Sequence, residues 1–520
     1  MATAVRAALG AASVSSLQAP RSRLRFLTCG SVDDGKSTLI GRLLYESKLL
    51  YEDQIATLQK ESRKAGAQNG ALDFALLVDG LAAEREQGIT IDVAYRYFST
   101  GSRMFIVADT PGHEQYTRNM ATAASSSDLA VLLIDARKGI LTQTRRHSFI
   151  VSMLGVRHVI LAVNKMDLVG YSQAVFRKTE AEYRAFAASL GFTGISCIPM
   201  SAKLGDNVVE LSANMPWYRY RSLMAHLESV EIEDDLRSKP FRMPVQWVNR
   251  PDAAFRGYAG LIASGTVRVG DRLRVLPSGK ESGVQRIVTF DGDLDVALAG
   301  QSITVVLDDE IDVSRGDLLC AASTPAHVAD RFRAKVLWLS EAPLQPDKPY
   351  FIKIGTKRLP GALARPEHAI DIATLGQKSA ATLEMNEIGV CDVALDAPAA
   401  FDSYAENRET GSFIVIDRMT NNTVGMGLIL DAGGDPRAAR RPPWFRVARR
   451  NARSRERSWR SLAKAASWRS VGTIDTLVLA YIFTGSAAIS FAIGSMEVAT
   501  KTVLYYLHER TWARVRAGVR

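Results

Sequence analysis

One eight-residue segment limits what this chain can be more than any other: Gly30-Ser31-Val32-Asp33-Asp34-Gly35-Lys36-Ser37. It fits the pattern GxxxxGK[ST], follows the apolar run LRFLTC and precedes the helix-forming STLIGRLLYE. A strand, a glycine-containing loop and a helix in that order wrap backbone N–H groups around phosphate oxygens at the positive end of a helix dipole. In that geometry Lys36 reaches the β and γ phosphates, and the Ser37 hydroxyl is a ligand for Mg²⁺. The segment therefore demands an α/β sheet, with its ligand lying beyond the carboxyl ends of the strands.

The rest of the first half meets that demand. LRFLTCG, FIVADT, LAVLLIDA, HVILAVNK and SCIPMSA each end in Gly, Asp, Asn or Ser and alternate with helical stretches, as buried parallel strands do. Asp109-Thr110-Pro111-Gly112-His113 follows one such strand. There Asp109 can hold the Mg²⁺ shell through water, and Gly112 can offer its N–H to a γ-phosphate. Asn164-Lys165-Met166-Asp167 follows another, and a carboxylate at that point accepts from N1 and the exocyclic N2 of guanine, groups that adenine does not present. Leaving that carboxylate unpaired disfavours an adenine nucleotide. Ser201-Ala202-Lys203 supplies the last strand-end loop near the base. Four motifs in chain order predict a GTPase using GTP with Mg²⁺.

From Pro240 the pattern changes to short alternating strands separated by turn signals, first to about Ser323 and then from about Phe332 to Leu430, which predicts two small antiparallel β-barrels. Four cysteines, far apart and without a CxxC pair, give neither a disulfide framework nor a zinc site. The formal charge of +10 is unevenly spread: residues 436–520 hold 17 Lys/Arg against 4 Asp/Glu, a net of +13, which leaves −3 for residues 1–435. The first 435 residues thus have no general attraction for a phosphate polymer, and no nucleic-acid partner is expected.

DTPGH, AEREQGIT at 83–90 and the trailing barrels resemble the translation-factor superfamily of GTPases. Within it, GSVDDGKSTLIGRLLYES, LVDGLAAEREQGITIDVAYRYFST, ADTPGHEQYTRNMATAAS and LLIDARKGILTQTRRHSFI closely resemble the GTPase (large) subunit of bacterial sulfate adenylyltransferase, from about Leu24 to Leu430. The resemblance implies that a separate small subunit forms adenylyl sulfate from ATP and sulfate, and that GTP hydrolysis here drives that unfavourable reaction. It also implies that Thr90 closes on Mg²⁺ in the GTP state, so that Ser37, Thr90 and Asp109 are the metal residues. His113 takes the place of the water-orienting histidine, so His113, Lys36 and Thr90 are the catalytic candidates. Val32 is an apolar gate beside it or an ordinary loop valine; Arg118 is a switch-face residue or a solvated arginine. His147 and His158 lack metal-ligand spacing and read as packing side chains. The rival reading is a factor carrying aminoacyl-tRNA, against which the −3 balance counts. Some relatives fuse an adenylyl-sulfate kinase to the carboxyl end, but no second GxxxxGK[ST] follows Ser37, so that activity is not expected.

The tail differs in kind. Thr476 to Met496 is 21 residues without a charge, about 31 Å as helix, which matches a bilayer core of about 30 Å. A single span would leave arginine-rich flanks on opposite sides, which the positive-inside rule disfavours; a hairpin turning near Gly485-Ser486 keeps both on the cytoplasmic side. SLAKAASWRSVGTIDTLVLAYIFTGS followed by MEVATKTVLYYLHERTW also resembles a small bacterial family of two-helix membrane segments of unknown role. An amphipathic helical pair packed on a partner is the alternative. The expected organisation is a 1–24 disordered extension, a P-loop GTPase domain at 25–235, β-barrels at 240–325 and 330–432, an arginine-rich linker at 433–460 and a two-helix membrane segment at 461–516. The expected localisation is a cytoplasmic GTPase portion held at a membrane by its tail.

Overall fold

The computed structural model describes residues 22–47, 72–78, 90–232, 236–252 and 255–433, with a few further positions at 55–56, 58–60, 62, 84 and 485–489. The chain forms two units, residues 1–440 and 441–520. The expected amino-terminal extension, arginine-rich linker and membrane hairpin lie almost wholly outside the described residues. Among the described residues no helix is long and apolar enough to cross a membrane.

The first domain follows from its apolar runs. β1 (Ser22–Cys29), β2 (Ala94–Ser99), β3 (Arg103–Asp109), β4 (Leu129–Asp135), β5 (His158–Asn164) and β6 (Gly194–Pro199) form a six-stranded sheet in the order β2-β3-β1-β4-β5-β6. The five apolar runs are the parallel strands, and β4 is buried at every position. β2 pairs antiparallel with β3 at the sheet edge. Its sequence AYRYFS places Tyr95 and Tyr97 in solvent and Phe98 in the core, the period-2 pattern of a half-covered strand rather than a continuous apolar run. α1 (Lys36–Glu46), α2 (Thr117–Ser125), α3 (Thr142–Met153), α4 (Gln173–Ala187) and α5 (Leu223–Ser229) cover the faces. Because β1 is flanked by β3 and β4, a crevice opens beyond its carboxyl end.

Two β regions follow. Between Arg242 and Ala321 the chain forms an eight-stranded antiparallel sheet and a two-stranded ribbon. The run from Arg242 to Asn249 pairs at its start with Leu318–Ala321 and at its end with Gly257–Leu261, so the two ends of that sheet meet on one stretch of chain. Between His327 and Asp431 a second eight-stranded sheet closes on itself, because His327–Trp338 pairs with both Thr423–Asp431 and Ile388–Phe401. A separate apolar core fills each β region, and Leu337, Ile388 and Leu428 of the second continue the core of the α/β domain. All four cysteines are free and buried.

Polar contacts tie the second β region to its neighbours. Asn386 Nδ2 donates to Glu114 O at 3.0 Å and Tyr404 Oη to Leu154 O at 2.9 Å, both in the α/β domain. Between the β regions, buried Arg242 pairs with buried Asp402 at 2.9 Å, and Asn407 Nδ2 donates to Ser264 Oγ at 2.9 Å.

Candidate nucleotide site

The loop after β1 takes its shape from two positions that hold left-handed backbone. Asp33 has φ 66° and Gly35, the residue before α1, has φ 94°. The loop is also held from within: Ser31 N–H donates to Asp34 Oδ2 at 2.7 Å, and Lys36 Nζ donates to Ser31 O at 2.8 Å and Gly30 O at 3.3 Å. Burial pulls the Lys36 ammonium below its ordinary value, against the opposing influence of Asp109 and Asp34. Burial likewise raises the Asp34 carboxyl to about 6, with Lys36 opposing. Gly112 lies so close that a Cβ there would stand 2.6 Å from Lys36 Nζ and 2.8 Å from both Gly30 O and the Ser31 carbonyl carbon.

Three oxygens converge at the start of α1. Ser37 Oγ donates to Asp109 Oδ2 at 2.9 Å and lies 3.2 Å from Thr90 Oγ1. Thr28 Oγ1 donates to the other Asp109 oxygen at 3.3 Å, and Thr110 Oγ1 donates to Thr28 O at 2.6 Å, which pins the ends of β1 and β3 together. A serine hydroxyl, a threonine hydroxyl and a carboxylate at one point are the hard oxygen donors a small dication requires. The position of Thr90 is supported by buried Glu84, whose Oε1 accepts from Ile91 N–H at 3.0 Å.

The loops after β5 and β6 close the other side. Asn164 Nδ2 donates to Asp34 O at 2.8 Å, while Asn164 Oδ1 accepts from Ala202 N–H at 2.9 Å, so one amide links three strand-end loops. Met166 N–H donates to Met200 O, and the Met166 side chain is wholly buried in the core. Lys165, with φ 63°, donates to Asp33 O and to Asp135 Oδ2 at 3.0 Å. Burial pushes the Asp135 carboxyl up, but hydrogen bonds from Arg137 and Lys165 overcome it and hold it well below the usual carboxylate range. Asp167 is half-buried in the short turn Met166–Val169, and Ser201 and Ala202 are buried in the loop that follows β6.

These elements enclose a cleft of about 320 Å³ lined by Val32, Asp33, Gly35, Lys36, Ser37, Thr38, Ala75, Thr90, Gly112 and Lys165. Gly30, Ser31, Asp34, Asp109, Thr110, Pro111 and Asn164 are buried or half-buried behind that lining. His113 is not part of it. It is exposed at the start of the turn Glu114–Tyr116, where its Nδ1 accepts from Gln115 N–H at 3.3 Å. Thr38, Ala75, Thr28 and Asp135 were not singled out from the sequence. Asp135 carried a signal, as the acid ending LAVLLID, whereas Ala75 had none.

Comparison with known proteins identifies the scaffold. The Elongation factor Tu GTP binding domain matches residues 21–226, Elongation factor Tu domain 2 matches 258–320, and the GTP-eEF1A C-terminal domain-like family matches 331–430. Residues 462–513 match the family described as Predicted membrane protein (DUF2061). Sulfate adenylyltransferase subunit 1 of Aeromonas hydrophila is 59% identical over 414 residues, spanning 80% of this chain and 87% of that protein. The chain belongs to the sulfate adenylyltransferase subunit 1 family. The same-named protein of Saccharophagus degradans is 56% identical over 408 residues, covering 78% of this chain and 87% of its own length. The bifunctional enzyme NodQ of Rhizobium sp. (strain N33) is 56% identical over 413 residues, but these span only 64% of that longer protein. As a member of this family, the chain binds GTP through its first domain.

Proposed function

We infer that this chain is the GTP-hydrolysing subunit of a sulfate adenylyltransferase, which couples GTP hydrolysis to the formation of adenylyl sulfate and diphosphate from ATP and sulfate on a small partner subunit. The observation that carries this reading is the convergence of Ser37, Thr90 and Asp109 beside the Lys36 loop, on a chain 59% identical to a protein of that name. The adenylyl-transfer residues belong to the partner. The −3 balance of residues 1–435 disfavours the aminoacyl-tRNA alternative.

Within the site, Lys36 and the N–H groups of residues 30–37 hold the β and γ phosphates. Asp167 accepts from the guanine edge, while Asn164, Ser201 and Ala202 fix the loops that present it. Ser37, Thr90 and Asp109 fit Mg²⁺; that ion, when bound, neutralises charge on the phosphates. Thr90 and Gly112 are the residues whose position reports the γ-phosphate. His113 has Nδ1 engaged by Gln115, which leaves Nε2 to hold the attacking water when the turn Glu114–Tyr116 moves toward the cleft. Asn386 grips Glu114 O in the same turn, so the second β region senses that movement. The domain division proposed is 25–235, 240–325 and 330–432, with barrels in both β regions.

The tail at 461–516 is proposed as a membrane hairpin on the cytoplasmic side. The uncharged stretch 476–496, the family match at 462–513 and the left-handed φ of 63° at Gly485 support it. The decisive experiment follows GTP hydrolysis and adenylyl sulfate together, with and without the small subunit. Hydrolysis should be slow alone and faster with the partner; equal rates would overturn the coupling. His113→Ala should keep guanine-nucleotide affinity and lower turnover about a hundredfold; unchanged turnover would remove its role.

A further inference from the structure

A second cleft, about 360 Å³ in volume, lies on the seam between the α/β domain and the second β region. Its lining carries Arg157, His158, Lys239, Lys335 and Arg408, with Asp128 as the sole carboxylate. Asp128 is already engaged, accepting Arg25 N–H at 2.9 Å and lying 3.7 Å from Arg25 Nε. Among the described residues, no carboxylate stands within ion-pair distance of Arg157, Lys335 or Arg408.

Those three cations are nevertheless held in place. Arg157 Nη1 donates to Gly191 O at 3.0 Å, and Arg408 Nη2 donates to Gly155 O, so each guanidinium spends one N–H on a carbonyl and keeps others free. Lys335, half-buried, has its ammonium 5.7 Å from the centre of the Phe149 ring, and burial lowers its proton affinity with no acid nearby to restore it. Cations gathered in a partly enclosed cleft repel one another more strongly than in water and concentrate anions between them. Holding the Gly155 carbonyl, in the turn just past α3, accounts for Arg408 but not for Lys335 or Arg157.

We propose that this seam is a binding site for a compact, multiply charged oxyanion of the sulfate and phosphate class, gripped by Arg157 from the α/β domain and by Lys335 and Arg408 from the second β region. Such an anion bridges the two domains and ties the seam shut. The proposal does not depend on the nucleotide chemistry at the first site.

The test uses the full chain saturated with GDP, so that the Lys36 loop is occupied, in a low-salt chloride buffer. Calorimetric titrations with sulfate, inorganic phosphate and diphosphate should give saturable binding for at least one, and the order of affinities names the source. Lys335→Met and Arg157→Gln, one from each domain, should each weaken that binding about tenfold or more while GDP affinity stays unchanged. Absence of saturable heat for all three anions would overturn the site. So would binding that survives both substitutions, since it would then reside elsewhere, the arginine-rich segment after residue 436 included.

Discussion

Gly112 shows how little room a single residue has at the nucleotide cleft. A methyl group there meets backbone of Gly30 and Ser31, which cannot rotate away as a side chain could. Gly112→Ala should therefore weaken GTP binding about tenfold or more, as overpacking of a rigid site does; a fluorescent-nucleotide titration measures it. His147 makes the opposite point, a polar residue that does no visible polar work. It is wholly buried, neither ring nitrogen has a partner among the described residues, and burial depresses its pKa to about 3. The folded chain keeps this ring neutral while the unfolded chain protonates it near 6.5. The stability it contributes is thus full above pH 6.5 and is lost as the pH falls toward 3. At pH 5 the loss is about 2 kcal/mol, and His147→Leu should shrink the fall in melting temperature between pH 7 and pH 5 accordingly. The sequence reading of His147 as a packing side chain was legible from its missing ligand spacing. Its lack of hydrogen-bond partners was not, because that depends on what α3 packs against.

Among elements, the two β regions are joined by a buried ion pair rather than by apolar contact alone. Arg242 donates to Asp402 through Nε and Nη2, and Thr410 Oγ1 donates to the same carboxylate at 2.6 Å. Removing one charge leaves the other buried without its partner, which costs about 3–5 kcal/mol. Arg242→Met should destabilise the chain by that amount in denaturant unfolding, and Arg242→Met with Asp402→Leu should recover most of it. The strand content of both regions can be read from alternation, since period-2 burial follows the side chains themselves. The meeting of sheet ends on Arg242–Asn249 cannot, because it depends on a bend that lets one run pair with two different strands. β2 escaped the sequence reading for a related reason: its exposed tyrosines break the apolar run that marks its parallel neighbours.

For the whole molecule, charge separates two regimes, −3 over residues 1–435 and +13 over 436–520. Arginines flanking an uncharged stretch suit an anionic headgroup surface on one side of a bilayer. The full chain should accordingly remain in the membrane pellet after a carbonate wash; release of intact protein would argue against an integral hairpin. What the sequence alone determined is which loops gather at the first site. Gly30–Ser37, Asp109–His113, Asn164–Asp167 and Ser201–Ala202 each end a strand, and the strand ends of a parallel sheet all point to one crevice. What only the tertiary structure decided is how those loops hold each other and where the domains meet. Asn164 bridges Asp34 and Ala202 and Asn386 reaches Glu114 at hydrogen-bond distance, and Arg157 and Lys335 come to line one cleft, each over separations that chain entropy hides from local pattern and that only packing of finished domains closes.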